Sequence, residues 1–380
     1  MGKVFLNSRA LLCVAGAFVL IGAAFTARAG FAADKSSTSA GGWDRQAAAR
    51  YLDSREVWWQ GWDRPHKDRA TLCISCHTQA SYGLARPELH KALNDQSQSP
   101  AEQAFLASVQ KRVKQWDLMQ PFYSDIPSGA GKEIESHNSE AVLNAFILSS
   151  YDRYAGHLSD LSRTAFGNAW ALQSKTGPDA GSWVWQNFGF APWESNESQY
   201  HWAALMAMAT GKAPGNYRSD PKIAENLASL QSYLRSHYDA QPLLNKVVAL
   251  WAAGSFPAVL SKDQQTHLVD QLNHLQHADG GWSLTDLGPW KGRVDKTPLE
   301  TRSDGYATAL IVLVREETGA PARDPNVARG IQWLLANQYK ETGAWTAWSL
   351  NKNRDPKSDA GPFMSDAATS YAVLALEERR

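Results

Sequence analysis

The feature that most constrains this chain is an alternation. A polar-apolar segment with helical periodicity is followed by a segment that is apolar nearly all round, and the pair recurs six times at intervals of roughly 45 to 65 residues. The amphipathic members are Trp43 to Glu56, Glu102 to Asp117, Leu158 to Lys175, Asp220 to Tyr238, Ser261 to Ala278 and Asp324 to Glu341. Their apolar partners are Thr78 to Ala85, Ser139 to Ser150, Gln199 to Gly211, Leu243 to Gly254, Tyr306 to Thr318 and Ala367 to Glu378. A helix apolar on every side must be buried on every side, and a two-layer stack cannot bury six of them. A closed ring can, with the apolar helices inside and the amphipathic ones as its outer wall. The expectation is therefore an all-α chain, an (α/α)6 toroid of six helical hairpins. Start signals agree: Asp220-Pro221 and Asp324-Pro325 each place an N-cap before a first-turn proline, and Ser261 is followed three residues later by Gln264.

The junctions repeat too. Gln173 leads to Gly181-Ser182-Trp183, Gln276 to Gly280-Gly281-Trp282, and Gln338 to Gly343-Ala344-Trp345. Such a Gln can bond loop backbone, the Gly permits a left-handed turn, and the Trp anchors the loop with a broad apolar face and one donor. In this order of Gln, Gly and Trp the chain resembles the terpenoid cyclase and prenyltransferase toroids, as in squalene-hopene cyclase repeats. The resemblance spans most of the chain and implies a ring with a central apolar cavity. The Asp-x-Asp-Asp segment of the cyclases is missing, and the zinc set of the prenyltransferases has no counterpart.

The N-terminus reads as a targeting segment over residues 1–33: Lys3 and Arg9, an apolar run from Leu11 to Phe25, then Ala27-Arg28-Ala29. This implies an exported, periplasmic protein whose single toroid domain covers 34–380, with no membrane span once the segment is cleaved. Thirty-eight basic and thirty-eight acidic residues balance, which argues against nucleic acid as a partner. Cys13 leaves with the targeting segment, so Cys73 and Cys76 are the only cysteines of the remaining chain.

Those two stand in Cys73-Ile74-Ser75-Cys76-His77, the spacing of covalent haem c attachment, and here the chain resembles the c-type cytochromes. On a helical turn the two sulfurs reach the same side, and His77 follows as the proximal iron ligand. A zinc site would need further ligands, and His66 and His90 are isolated; a thioredoxin-like pair would need a strand-to-helix setting. The expectation is one covalent haem c per chain, on Cys73, Cys76 and His77, at the mouth of the first inner helix. His137 or Met119 is the candidate distal ligand, with Met364 and His201 behind them. At the corresponding place in other repeats stand Glu135, Glu197 and Asp366, as rim groups or helix caps.

Sixteen Trp residues suit a flat cofactor or substrate. Pro192-Trp193-Glu194 is echoed by Pro289-Trp290 and Glu300, each ahead of an inner helix, so Glu194, Glu300 and Asp304 are the acids to test as catalytic groups. Three functions stay open. The first is a haem-dependent oxidoreductase acting on an apolar or aromatic substrate, toward which the sequence leans because a carrier needs less protein. The second is a periplasmic electron-transfer or sensor cytochrome docking a redox partner, and the third a squalene-hopene-cyclase-like isomerase without the usual acidic motif.

Overall fold

The three Gln-Gly-Trp junctions act as one repeated device, and they explain how the chain closes. Gln173 Nε2 donates to Gly181 O of its own loop at 2.8 Å and to Asn226 O at the start of the next outer helix at 3.0 Å. Gln276 repeats this with Gly280 O and Asn326 O, at 2.7 and 2.8 Å. Gln338 does so with Gly343 O and Asp44 O, both at 2.9 Å, so the last junction clasps the first helix. The glycines have φ of +99°, +93° and +82°. A Cβ on Gly181 would lie 2.2 Å from Ser229 O, and one on Gly343 would lie 2.3 Å from the Ala47 carbonyl carbon, so only glycine fits there. Trp183, Trp282 and Trp345 are fully buried, and each indole donates to a carbonyl of the preceding outer helix: Ala169, Leu272 and Leu334, at 2.6, 2.7 and 2.8 Å.

The computed structural model describes residues 42–124, 130–321 and 323–377. Among these are twelve α-helices: α1 Arg45–Gly61, α2 Gln79–Leu93, α3 Pro100–Lys114, α4 Ala130–Ala155, α5 Asp160–Leu172, α6 Ser198–Lys212, α7 Ala224–His237, α8 Leu243–Ser255, α9 Lys262–His274, α10 Gly305–Glu317, α11 Pro325–Asn337 and α12 Phe363–Glu377. The even-numbered helices are the apolar ones and pack in sequence, α2 on α4, α4 on α6, α6 on α8, α8 on α10 and α10 on α12, and α12 returns to α2. The odd-numbered helices form the outer wall, and α1 touches both α2 and α12. This is the expected (α/α)6 toroid. The expected targeting segment, 1–33, lies outside the described residues. None of the described helices is long and apolar enough to cross a membrane.

Several helices outrun the sequence reading, and α2 and α4 do so by the most. Helix α2 continues through Pro87 to Leu93, past the expected end at Ala85. The proline has no N–H for the Gly83 carbonyl one turn back, and Ser150 Oγ from α4 supplies the missing donor at 2.6 Å. Helix α4 begins at Ala130, well before Ser139, which places His137 on a helix. A small antiparallel pair, β1 His66–Lys67 and β2 Thr71–Leu72, was not foreseen and leads into the cysteine segment.

Candidate functional site

Inner-helix N-termini gather at one end of the ring, and there the centre opens into a cavity of about 300 Å³. Its wall is drawn from the segment before α2 (Cys73, Cys76, His77), the loop before α6 (Trp193, Glu194), the long loop into α12 (Asn351, Arg354) and the first residues of α12 (Phe363, Met364), with Trp59, Trp62 and Arg64 from the end of α1 and just beyond. At the opposite end Lys212 of α6 pairs with Glu317 of α10, which also accepts from Trp251 Nε1 at 2.6 Å.

The cysteine segment is held from both sides. Cys73 N donates to Pro65 O at 2.8 Å, and Trp59 Nε1 donates to Cys73 O at 3.1 Å. Both thiols are free and buried, and burial pushes the Cys73 thiol up to about 12 and that of Cys76 well above its ordinary value. They are neutral, unreactive walls. His77 stacks on Phe363 with ring centroids 3.7 Å apart and planes inclined 19°, and meets the edge of Trp59 at 5.4 Å. Burial, with Arg55 and Arg354 nearby, pushes its pKa down to about 3, so its imidazole is neutral.

Glu194 enters through a tight turn. Its N–H donates to Phe190 O at 2.8 Å, its carbonyl accepts from Phe188 and Phe190, and Asn351 grips Ala191 by both backbone groups, at 2.9 and 2.7 Å. Burial raises the Glu194 carboxyl to about 7, with Lys132 opposing. Arg354 lies 5.6 Å from the Phe363 ring centroid and Arg64 5.4 Å from that of Trp62. Among the described residues neither guanidinium has a carboxylate within ion-pair distance. Among the described residues the cavity therefore combines aromatic walls, a positive rim and a carboxyl whose pKa burial raises toward neutrality.

Of the residues singled out in the sequence, Cys73, Cys76, His77, Trp193, Glu194 and Met364 come together here. The others do not. Glu300 is held by Arg302 at 2.8 and 2.9 Å, away from the cavity. Asp304 is buried as the N-cap of α10, accepting from Ala307 N at 2.9 Å, which is a structural task. His137 stacks on Trp116 with centroids 4.3 Å apart, and the Met119 sulfur lies 4.0 Å from Arg112 Nη1; neither lines the cavity. His201 is buried within the ring beside Asn245. Glu135 accepts from Asn187 N, Glu197 from Ser195 Oγ, and Asp366 stands in the first turn of α12. Arg354, Asn351 and Phe363 were missed; the first two lie in an irregular loop with no periodicity and Phe363 is the first residue of α12, and only the tertiary fold carries them to the cavity.

Fold and site thus define an α/α toroid with an aromatic-walled cavity at the end where its inner helices begin. No protein-family model matches the chain, and no curated protein matches it. Among solved structures it is similar to an unsaturated glucuronyl hydrolase from Bacillus sp. GL1, described as responsible for the degradation of glycosaminoglycan. The identity is 10% and the TM-score 0.53, over 87% of this chain and 95% of that one. It is also similar, at 10% identity and a TM-score of 0.50 with the same coverage, to a UGL variant described together with dGlcA-Glc-Rha-Glc.

This likeness corrects the functional expectation. The toroid stands, but the two solved structures just described carry the names of an unsaturated glucuronyl hydrolase and of a UGL variant with a saccharide, and neither is named as a c-type cytochrome or a terpenoid cyclase. The monohaem redox protein, the electron carrier or sensor and the cyclase-like isomerase are set aside, and with them haem c as the cofactor on Cys73, Cys76 and His77. Local structure gives that segment another physical role. Its thiols are buried in the core, its histidine is packed between aromatic rings, and among the described residues no three His, Cys, Asp or Glu side chains are grouped to hold a metal ion.

Proposed function

We propose that the cavity receives the end of an acidic saccharide and that Glu194 donates a proton to it. The observation that carries this reading is the Glu194 carboxyl, raised to about 7 inside an aromatic-walled pocket where, among the described residues, the other charged side chains are Arg64 and Arg354. Sugar rings present apolar C–H faces that pack on Trp62, Trp193 and Phe363, and a uronate carboxylate is matched by the guanidiniums of Arg64 and Arg354. Ordinary glycoside hydrolysis uses two carboxyl groups flanking the bond. Here, among the described residues, a single carboxyl lines the cavity, which suits a substrate already activated by a ring C=C beside oxygen. Glu194 protonates the alkene carbon, water adds to the cation so formed, and the proton of that water returns to the carboxylate. The similar glucuronyl hydrolases, which act on unsaturated sugars by name, support this choice of substrate class.

We also infer that the protein is exported and meets its saccharide outside the cytoplasm, from the segment at 1–33, and that the Gln-Gly-Trp junctions relate its scaffold to the terpenoid cyclase toroids. The test of function is direct. Oligosaccharides ending in an unsaturated uronate lose their ultraviolet absorbance when the C=C is consumed. The wild type is expected to bring this about, and E194Q to bind the same saccharide while losing on the order of 10²- to 10⁴-fold in rate. If calorimetry finds no binding of saturated or unsaturated uronate-ended saccharides, the reading fails.

A further inference from the structure

A hydrogen-bonded chain runs from the last inner helix to the first and ends at the cavity. Asp366 of α12 accepts from Arg55 Nε and Tyr51 OH on Oδ1, both at 2.8 Å, and from Thr78 Oγ1 on Oδ2 at 2.7 Å. Burial raises this carboxyl, the Arg55 cation and the three donors draw it back in part, and with all three donors aimed at it Asp366 accepts in each contact. Thr78 has one hydroxyl hydrogen, and Asp366 takes it. Toward His77 Nδ1, 2.8 Å away, Thr78 Oγ1 therefore offers only a lone pair. The hydrogen in that contact must belong to the histidine. A neutral ring with hydrogen on Nδ1 has none on Nε2, and among the described residues Nε2 has no hydrogen-bond partner, while the ring lines the cavity.

We propose that Thr78 and Asp366 are positioning residues that lock His77 in its Nδ1–H tautomer, so that a bare Nε2 faces the cavity as an acceptor for a ligand hydroxyl. The ring plane is fixed by Phe363 on one face and by the edge of Trp59, so the lone pair has a set direction. Glu194 then supplies a donor and His77 an acceptor within one cavity, as a hydroxyl-bearing ring requires. The ligand class rests on the saccharide reading above; the tautomer does not, and it can be measured with no ligand present.

Long-range proton–nitrogen NMR of histidine-labelled protein at neutral pH reports which ring nitrogen of His77 carries hydrogen. The wild type and T78S are expected to show Nδ1–H, and T78V to lose that preference because its side chain cannot accept. D366N should do the same if it folds, and T78V, close in shape to the native residue, keeps the test usable if it does not. A wild-type ring protonated on Nε2, or a T78V spectrum with the tautomer unchanged, overturns the proposal. Binding of methyl glucuronide should weaken about tenfold in T78V and recover in T78S, the effect of one hydrogen bond. If the tautomer is as stated and the glucuronide does not bind, the positioning role stands and the saccharide reading falls.

Discussion

The loops Pro192–Glu194 and Pro289–Glu300 begin from the same sequence pattern, a Pro-Trp step and a carboxyl ahead of an inner helix, and their carboxyls end in opposite states. Glu194 is drawn into the cavity, and burial raises it to about 7. Glu300 stays at the surface, where Arg302 forms two parallel bonds to it and holds its pKa below the usual value. The residues between Trp and Glu make the difference. In the first loop the two are adjacent, so the turn that buries Trp193 carries Glu194 with it. In the second, nine residues intervene, and Trp290 is tied to Leu284 O at 2.9 Å while Glu300 goes elsewhere.

The largest effect should separate the two acids by rate. E194Q should lose on the order of 10²- to 10⁴-fold in turnover of an unsaturated uronate saccharide, and E300Q should stay within about twofold of wild type. Equal losses in the two variants would remove the distinction drawn here. The tryptophans should follow in stability. Trp193 is buried and packs edge-on against Tyr306 at 5.5 Å, so W193A should cost about 3–4 kcal/mol in denaturant unfolding, against about 1–2 for W290A at its half-buried site.

The acids should also differ in the sign of their pH dependence. A carboxyl raised in the folded state favours folding at low pH, and its contribution is lost as pH climbs from about 4.5 to about 7. Replacing Glu194 by Gln should therefore raise stability relative to wild type above pH 7, by roughly 3 kcal/mol at most, with little difference below pH 4.5. Glu300 is lowered, so its contribution is present above the unfolded value and lost on acidification; E300Q should show a small deficit at neutral pH that vanishes in acid. Unfolding midpoints from pH 4 to 8 decide the signs.

The ring was legible in the sequence because its signal is local and repeated: each inner helix announces itself by being apolar all round, and each junction by the Gln, Gly and Trp that hydrogen-bond as their chemistry requires. The site was legible only in part. Cys73, Cys76, His77 and Glu194 were singled out, and they do meet. The reading of their chemistry failed, because a five-residue spacing states which side chains are near one another and not what surrounds them. Phe363 on one face of His77 and Arg354 at the rim come from a segment almost 300 residues away. Asp304 looked like a catalytic acid for the opposite reason: a helix cap and a reactive carboxyl have the same sequence, and only the bonds to Ala307 N and Leu284 N tell them apart.

The smallest effect concerns the strut between the two loops. Asn351 holds Ala191 through its side chain, while its backbone carbonyl accepts from Val294 N at 2.9 Å, so both loops lean on one residue by different atoms. N351A removes the first attachment and leaves the second. The expected cost is about 1–2 kcal/mol, the value of two part-buried hydrogen bonds. The more telling change is at Glu194. With its loop released, the carboxyl gains water, and the pH at which its contribution is lost should move from about 7 toward the ordinary range, whereas that of Glu300 should not move. If the N351A stability profile keeps the wild-type midpoint, then the backbone bonds between Phe190 and Glu194 alone hold the acid in its buried position. The difference between the two loops would then be settled within each loop, by the spacing from Trp to Glu, with no help from the segment that joins them.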